Sequence, residues 1–233
     1  MDTSLTLGVL GGMGPAATLD FLTKLQQFTP AETDQDHLRV LVDINPKVPD
    51  RNTFSADAGP VLAEMAGALA GAGAEVLAIA CNTAHAHADL IQRASGLPLV
   101  DMIATGARAA RETGAIRVGV LGTKGGIRLY REYLAAQAMG LVMLTPVRQE
   151  AFMATLYRIK AGEVGRDVQR EMQGYADDLA ADGAEALIAG CTEVPLVLDP
   201  DAQKLDFIDP GELLARRCVA VCLGLEPLPS MPI

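Results

Sequence analysis

Short apolar runs alternate with longer amphipathic segments along the whole chain. The runs Leu5–Leu10, Leu38–Ile44, Leu97–Val100, Ile116–Leu121 and Leu141–Leu144 are too brief for helices and rich in branched aliphatics, which predicts buried strands. Two further runs of this kind close in a cysteine, at Cys81 and at Cys191. Between the strands, Ala16–Phe28, Ala56–Ala72, Thr83–Ala94, Ile103–Thr113, Ile127–Ala138, Gln149–Lys160, Val164–Ala181 and Gly211–Leu223 read as helices, and Gly224–Ile233 as a proline-rich tail. Strands that alternate with helices predict parallel sheets covered on both faces, an α/β fold.

The two cysteine-ended runs repeat one another. Gly73-Ala74-Glu75 opens the stretch that closes in Cys81-Asn82-Thr83, and Gly183-Ala184-Glu185 opens the stretch that closes in Cys191-Thr192-Glu193, an offset of 110 residues from 81 to 191. Within two residues, the same offset relates Leu7–Gly11 to Val118–Gly122 and Pro98–Asp101 to Asp206–Asp209. Three echoes at nearly one offset indicate duplication. The chain is then two similar halves of about 110 residues, with a thiol at the equivalent strand end of each.

Composition narrows the class of partner. Half of the 233 residues are hydrophobic and tryptophan is absent, which suits an ordinary α/β protein. No apolar stretch approaches the roughly 20 residues of a membrane span, and Met1-Asp2-Thr3-Ser4 lacks the basic start of a signal peptide. A cytoplasmic protein with its four cysteines reduced is the expectation. A formal charge of −10 argues against nucleic acid or an anionic membrane as partner. A small acidic ligand would need cations placed locally.

Candidate chemistry gathers at the C-terminal ends of the strands, the edge where open α/β sheets hold ligands. The turn Gly11-Gly12-Met13-Gly14-Pro15 aims backbone N–H groups at whatever binds there, or is simply a tight turn with close helix packing. Its glycines fall as GxxGGxG and Asp43 comes too late for a ribose ligand, so it is not a dinucleotide fingerprint. Arg51, in the proline-stiffened loop Asn45–Asn52, either forks onto a carboxylate or is solvated. Lys160 has the same two readings on its amphipathic helix.

A cysteine at the end of a parallel strand, just before a helix, is favoured as thiolate by the helix N-terminus. Free thiols titrate near about pH 8.5, so modest stabilisation yields a base at neutral pH. Two halves facing one another would set one thiol on each side of a cleft, where a substrate carbon loses a proton on one face and gains one on the other. That is the geometry of a racemase. The resulting carbanion needs donors around its carboxylate, and Asn82, Thr83, Thr123 and Thr192 have the right chemistry, besides serving as helix caps. His85 either tunes Cys81 or packs. A metal site from Cys81, His85 and His87 has awkward spacing, and a Cys–His hydrolase would leave the second thiol idle. Cys218 and Cys222 read as small buried hydrophobes. None of the five lysines stands out as a Schiff-base former, so no cofactor is expected. A ligand sensor that keeps its thiols for packing is the non-enzymatic alternative.

The ordered motifs GVLGGMGPAAT (Gly8–Thr18), PDR (Pro49–Arg51), ACNTAH (Ala80–His85) and GCTEVPL (Gly190–Leu196) resemble the aspartate/glutamate racemase family, in particular its aspartate racemase branch. The resemblance spans nearly the whole chain. It implies cofactor-independent, two-base racemisation between two pseudo-symmetric three-layer α/β domains, in a homodimer. It also implies that the last helix returns to the first domain, giving residues 1–104 with 209–233 and residues 105–208. By position, Cys81 and Cys191 match the catalytic thiols, Cys81 serving the D-enantiomer and Cys191 the L-enantiomer. Asn82, Thr83, Thr123 and Thr192 match residues that hold the α-carboxylate or amino group. Arg51, Lys160 and the Met13 turn match the region that holds the distal carboxylate. Glu193, a second tuning residue beside His85, stands where glutamate racemases of the cell-wall pathway carry histidine. That difference favours aspartate as substrate over glutamate or a broader range.

Overall fold

The structure is a computed structural model that describes residues 4–52 and 55–231. Met1, Asp2 and Thr3 of the N-terminal stretch and the last two residues of the tail lie outside the described residues. The chain divides into two units. One holds the described residues through Met102 together with those from Gly211 onward; the other holds Ile103–Pro210.

In the first unit β1 (Leu7–Gly11), β2 (Val40–Ile44), β3 (Val76–Ile79) and β4 (Leu99–Val100) form one sheet in the order β2-β1-β3-β4, every pair parallel. The central strands β1 and β3 are buried at every position, which is why both read as unbroken apolar runs. Helices α1 (Pro15–Phe28), α2 (Ser55–Gly71) and α3 (Ala88–Ser95) belong to this unit. So does most of α8 (Pro210–Cys222). Alternation along the pleat sorts the core. Leu7, Val9, Val76, Ala78 and Ala80 pack with Phe21 and Leu25 of α1 and with Leu214 and Cys218 of α8. Leu10, Leu77, Ile79 and Cys81 pack with Leu62, Met65 and Leu69 of α2 and Ile91 of α3. Full burial of a side chain of this size stabilises by about 1.5–3 kcal/mol.

The second unit repeats the plan. Strands β5 (Arg117–Val120), β6 (Gly140–Val142), β7 (Ala186–Ile188) and β8 (Asp206–Ile208) are parallel in the order β6-β5-β7-β8, so each strand has its counterpart in the first sheet. Helices α4 (Met102–Glu112), α5 (Lys124–Ala136), α6 (Pro146–Lys160) and α7 (Arg166–Ala181) accompany it. Leu187, Ala189 and Cys191 share a core with Phe152, Leu156, Met172, Tyr175 and Leu179 of α6 and α7. The two thiols therefore lie on the equivalent face of equivalent strands.

The Gly-Ala-Glu openers explain themselves in this frame. Gly73 (φ +99°) and Gly183 (φ +87°) end α2 and α7 in the left-handed region that only glycine enters without strain. Their N–H groups donate to Ala70 O and Ala180 O, and those of Ala74 and Ala184 to Leu69 O and Leu179 O, each at 3.0 Å. Glu75 then accepts the Thr6 N–H on Oε2 at 2.8 Å, and Glu185 accepts the Ile116 N–H at 2.7 Å. Each glutamate thereby stitches the start of the neighbouring strand to its own.

One expectation needs correction. A helix over Thr83–Ala94 is replaced by a 3₁₀ segment, Thr83–His87, before α3 begins at Ala88. The His85 ring bonds the Cys81 carbonyl, the group an α-helix would offer to the His85 N–H, and that N–H goes back three residues to Asn82 O instead. After Cys191 there is again only a 3₁₀ turn, Val194–Leu196, with Pro195 in its first turn. The long-helix dipole invoked for the two thiols is therefore not what sits behind them.

Candidate active site

In the first unit, Cys81 lies two residues past β3 and is 5 % exposed, with Asn82 and Thr83 also buried. The loop that carries them is held by His85. Its Nδ1 is 2.9 Å from Cys81 O and its Nε2 accepts the Met102 N–H at 3.1 Å. A ring that accepts at Nε2 donates from Nδ1, so both nitrogens are spent on backbone. His85 thus fixes the Cys81 main chain rather than touching its sulfur, and neither nitrogen is offered to a metal. Among the described residues no group of three or more His, Cys, Asp or Glu is arranged to hold one.

Arg51 and the Met13 turn are brought together. Arg51 Nη2 donates to Met13 O at 3.0 Å and Nη1 to Pro49 O at 3.2 Å, while the buried Nε meets no acceptor among the described residues. Gly12 (φ +90°) makes the turn possible, since a Cβ there would stand 2.5 Å from the Asn45 backbone. Its N–H is taken by Thr18 Oγ1 at 2.9 Å, a closure that nothing in the sequence signalled. The Met13 side chain is buried in the α2 core, so its carbonyl rather than its thioether meets Arg51.

In the second unit, Thr123 caps α5, its Oγ1 accepting the Gly126 N–H at 3.2 Å. The buried Gln149 of α6 braces the turn before it, donating from Nε2 to Gly122 O at 3.0 Å. That brace lacks a sequence motif and went unforeseen. Around Cys191, which is 6 % exposed, the arrangement differs in kind from that around Cys81. The Cys191 thiol donates to Glu193 Oε2 at 2.9 Å, and Thr192 Oγ1 reaches the same oxygen at 3.4 Å. Glu193 is 1 % exposed, and Lys160, from the last turn of α6, donates to its other oxygen, Oε1, at 2.8 Å. Lys160 and Glu193, predicted for separate roles, are one ion pair.

The two remaining thiols are of another kind. Burial pushes Cys218 well above the ordinary thiol range, and burial followed by the nearby Glu75 carboxylate pushes Cys222 up to about 12. Neither is a base at neutral pH.

The family model described as Asp/Glu/Hydantoin racemase matches residues 10–218, a span that includes both Cys81 and Cys191. The chain belongs to this family. A glutamate racemase of Synechococcus sp. strain CC9605 is 30 % identical over 194 residues, covering 80 % of this chain and 71 % of the relative. The broad specificity amino-acid racemase RacX of Bacillus subtilis strain 168 is 25 % identical, covering 94 % of this chain and 99 % of its own. In fold, the Picrophilus torridus aspartate racemase superposes with a TM-score of 0.81 at 24 % identity, covering 94 % of both chains. A Francisella tularensis glutamate racemase in complex with D-glutamate superposes at 0.72 and 20 % identity, covering 100 % of this chain and 86 % of its own. Membership of this racemase family supports isomerase chemistry on small amino acids. No described helix is long and apolar enough to cross a membrane.

Proposed function

We propose that this chain is a pyridoxal-phosphate-independent racemase that interconverts L- and D-aspartate, with Cys81 and Cys191 acting on opposite faces of one α-carbon. The observation that carries this reading is the equivalence of the two thiols, each just past the third strand of its unit and on the same face of its sheet. In one direction the Cys81 thiolate takes the α-proton of the D-enantiomer. The C–H bond breaks, an S–H bond forms, and the electron pair spreads into the α-carboxylate. The Cys191 S–H bond then breaks as its proton goes to the opposite face, leaving the L-enantiomer and a Cys191 thiolate. The reverse direction exchanges the roles.

The α-proton is a far weaker acid than a thiol, so stabilising the spread charge is the main catalytic task. Asn82, Thr83, Thr123 and Thr192 are the donors assigned to the α-carboxylate and amino group. Arg51 is assigned to the distal carboxylate, and its unsatisfied Nε–H supports that role, since a buried donor left unpaired costs about 1–3 kcal/mol that an arriving oxygen would relieve. Aspartate is favoured over glutamate by a glutamate, Glu193, rather than a histidine beside the second thiol.

Proton NMR in heavy water tests the reading. The protein, with reductant and no added cofactor, is mixed separately with L-aspartate, D-aspartate, L-glutamate and an uncharged amino acid, and loss of the α-proton signal is followed alongside chiral analysis. Exchange with inversion, fastest for aspartate, is expected. Faster inversion of glutamate would move the substrate to that amino acid, and comparable inversion of all of them would make the enzyme a broad-range racemase. Binding of aspartate without exchange would mean a sensor.

A further inference from the structure

A two-base racemase needs its thiols in opposite states, one thiolate and one thiol, and the surroundings of Cys191 dictate which is which. The Cys191 thiol is 2.9 Å from a carboxylate oxygen of Glu193 that can only accept from it. Ionising the sulfur would lose that hydrogen bond and set two negative charges side by side, in a pocket where both residues are buried. The carboxylate's other oxygen is paired with Lys160 at 2.8 Å. Glu193 from the loop of Cys191 and Lys160 from helix α6 are thus charged groups brought to the sulfur and its hydrogen-bond partner. Cys81 is set differently: its neighbour His85 is turned onto main-chain atoms.

We infer that Glu193 is a positioning residue that holds Cys191 in its protonated form, with Lys160 as the counterion of Glu193. Resting on the racemase reading above, this makes Cys191 the proton donor of the resting enzyme and Cys81 its base. The resting form is therefore the one that accepts the D-enantiomer. After one D-to-L turnover Cys81 is a thiol and Cys191 a thiolate facing a carboxylate; the resting form returns when Cys81 gives its proton to solvent and Cys191 takes one up.

The test reads the thiol directly and needs no racemase activity. In Cys81→Ser protein, the ultraviolet absorbance of thiolate is followed against pH; Cys218 and Cys222 titrate far higher and stay silent over the working range. The Cys191 midpoint is expected above the ordinary thiol value of about 8.5. In Cys81→Ser/Glu193→Gln protein, which keeps the shape and removes the charge, it should fall by about 1–3 pH units, and Glu193→Asp should restore most of the difference. A midpoint at or below the ordinary value with Glu193 intact overturns the inference, as does a folded Gln variant whose midpoint is unmoved, which would assign the shift to burial alone. Should the Gln variant not fold, Cys81→Ser/Glu193→Ala protein takes its place, with the same two outcomes. The predicted titration in a protein that racemises nothing would overturn the proposed reaction and leave the role of Glu193 standing.

Discussion

At the foot of β3 and of β7 the chain does the same thing twice. A left-handed glycine ends a helix, an alanine turns, and a glutamate stitches in the neighbouring strand, at Gly73-Ala74-Glu75 and again at Gly183-Ala184-Glu185. At the head of the same two strands the chain does different things. Cys81 has its carbonyl anchored by a histidine and its sulfur left alone by that ring, whereas Cys191 has its sulfur bonded to a buried glutamate. The difference separates two demands made on a duplicated unit. What builds the sheet is needed equally in both halves and was kept. What surrounds the thiol differs between them, and on the proposed reading that difference decides which thiol rests as the acid and which as the base.

Breaking the pair itself should give the largest effect. Cys81→Ser and Cys191→Ser should each lower racemisation by about 10²–10⁴-fold while the circular dichroism spectrum stays that of the parent. A Cys191→Ser protein that racemises at the parental rate would end the two-base mechanism. At the foot of the strands the effect is on stability and symmetric. Glu75→Ala and Glu185→Ala should each cost about 1 kcal/mol in urea unfolding, the value of one such hydrogen bond, and the double variant should show the sum to within about 0.5 kcal/mol. A cost confined to one of the two would mean that the stitches are alike in geometry only.

The smallest effect is a pH response particular to the second unit. Glu171 of α7 has its carboxyl held below the ordinary glutamate value by a hydrogen bond from Thr155 and then by Arg158, both of α6, and Glu163 is held down by Arg158. A depressed folded-state value means that this clamp contributes in full above the ordinary value of 4.5 and is lost as the pH falls through the folded one. Since Glu163 is exposed and Glu171 only half-buried, the loss is modest. Hydrogen exchange at about pH 5 and about pH 3 should show α6 and α7 losing protection that α2 and α3 keep. Equal losses in both units would remove these carboxylates as the cause.

Much of the architecture was legible because it is written in periodicity. Brief apolar runs gave the strands, and one offset of 110 residues placed Cys81 and Cys191 on equivalent strand ends. The misread helix after Cys81 shows the limit of that method. The segment Thr83–Ala94 has helical composition, but a side chain, His85, takes a carbonyl that periodicity assigns to the backbone. The Glu193–Lys160 pair was out of reach for a similar reason: the partners are 33 residues apart, and nothing in either local pattern ties the end of α6 to the turn after β7. The Gly-Ala-Glu openers were seen as a repeat, yet their reason lies in strands some seventy residues earlier.

The arginine that spans two loops of the first unit bears on binding in a way that its charge alone does not convey. A free arginine side chain carries about 2 kcal/mol of rotamer entropy, which a surface arginine surrenders when it first grips an anion. Arg51 has surrendered it already, because the carbonyls of Met13 and Pro49 fix the guanidinium plane while the protein folds. On the proposed reading, a carboxylate meeting its Nε edge would dock on a surface as rigid as the sheet behind it, and would be selected by where its oxygens fall rather than by how far a flexible arm can follow them.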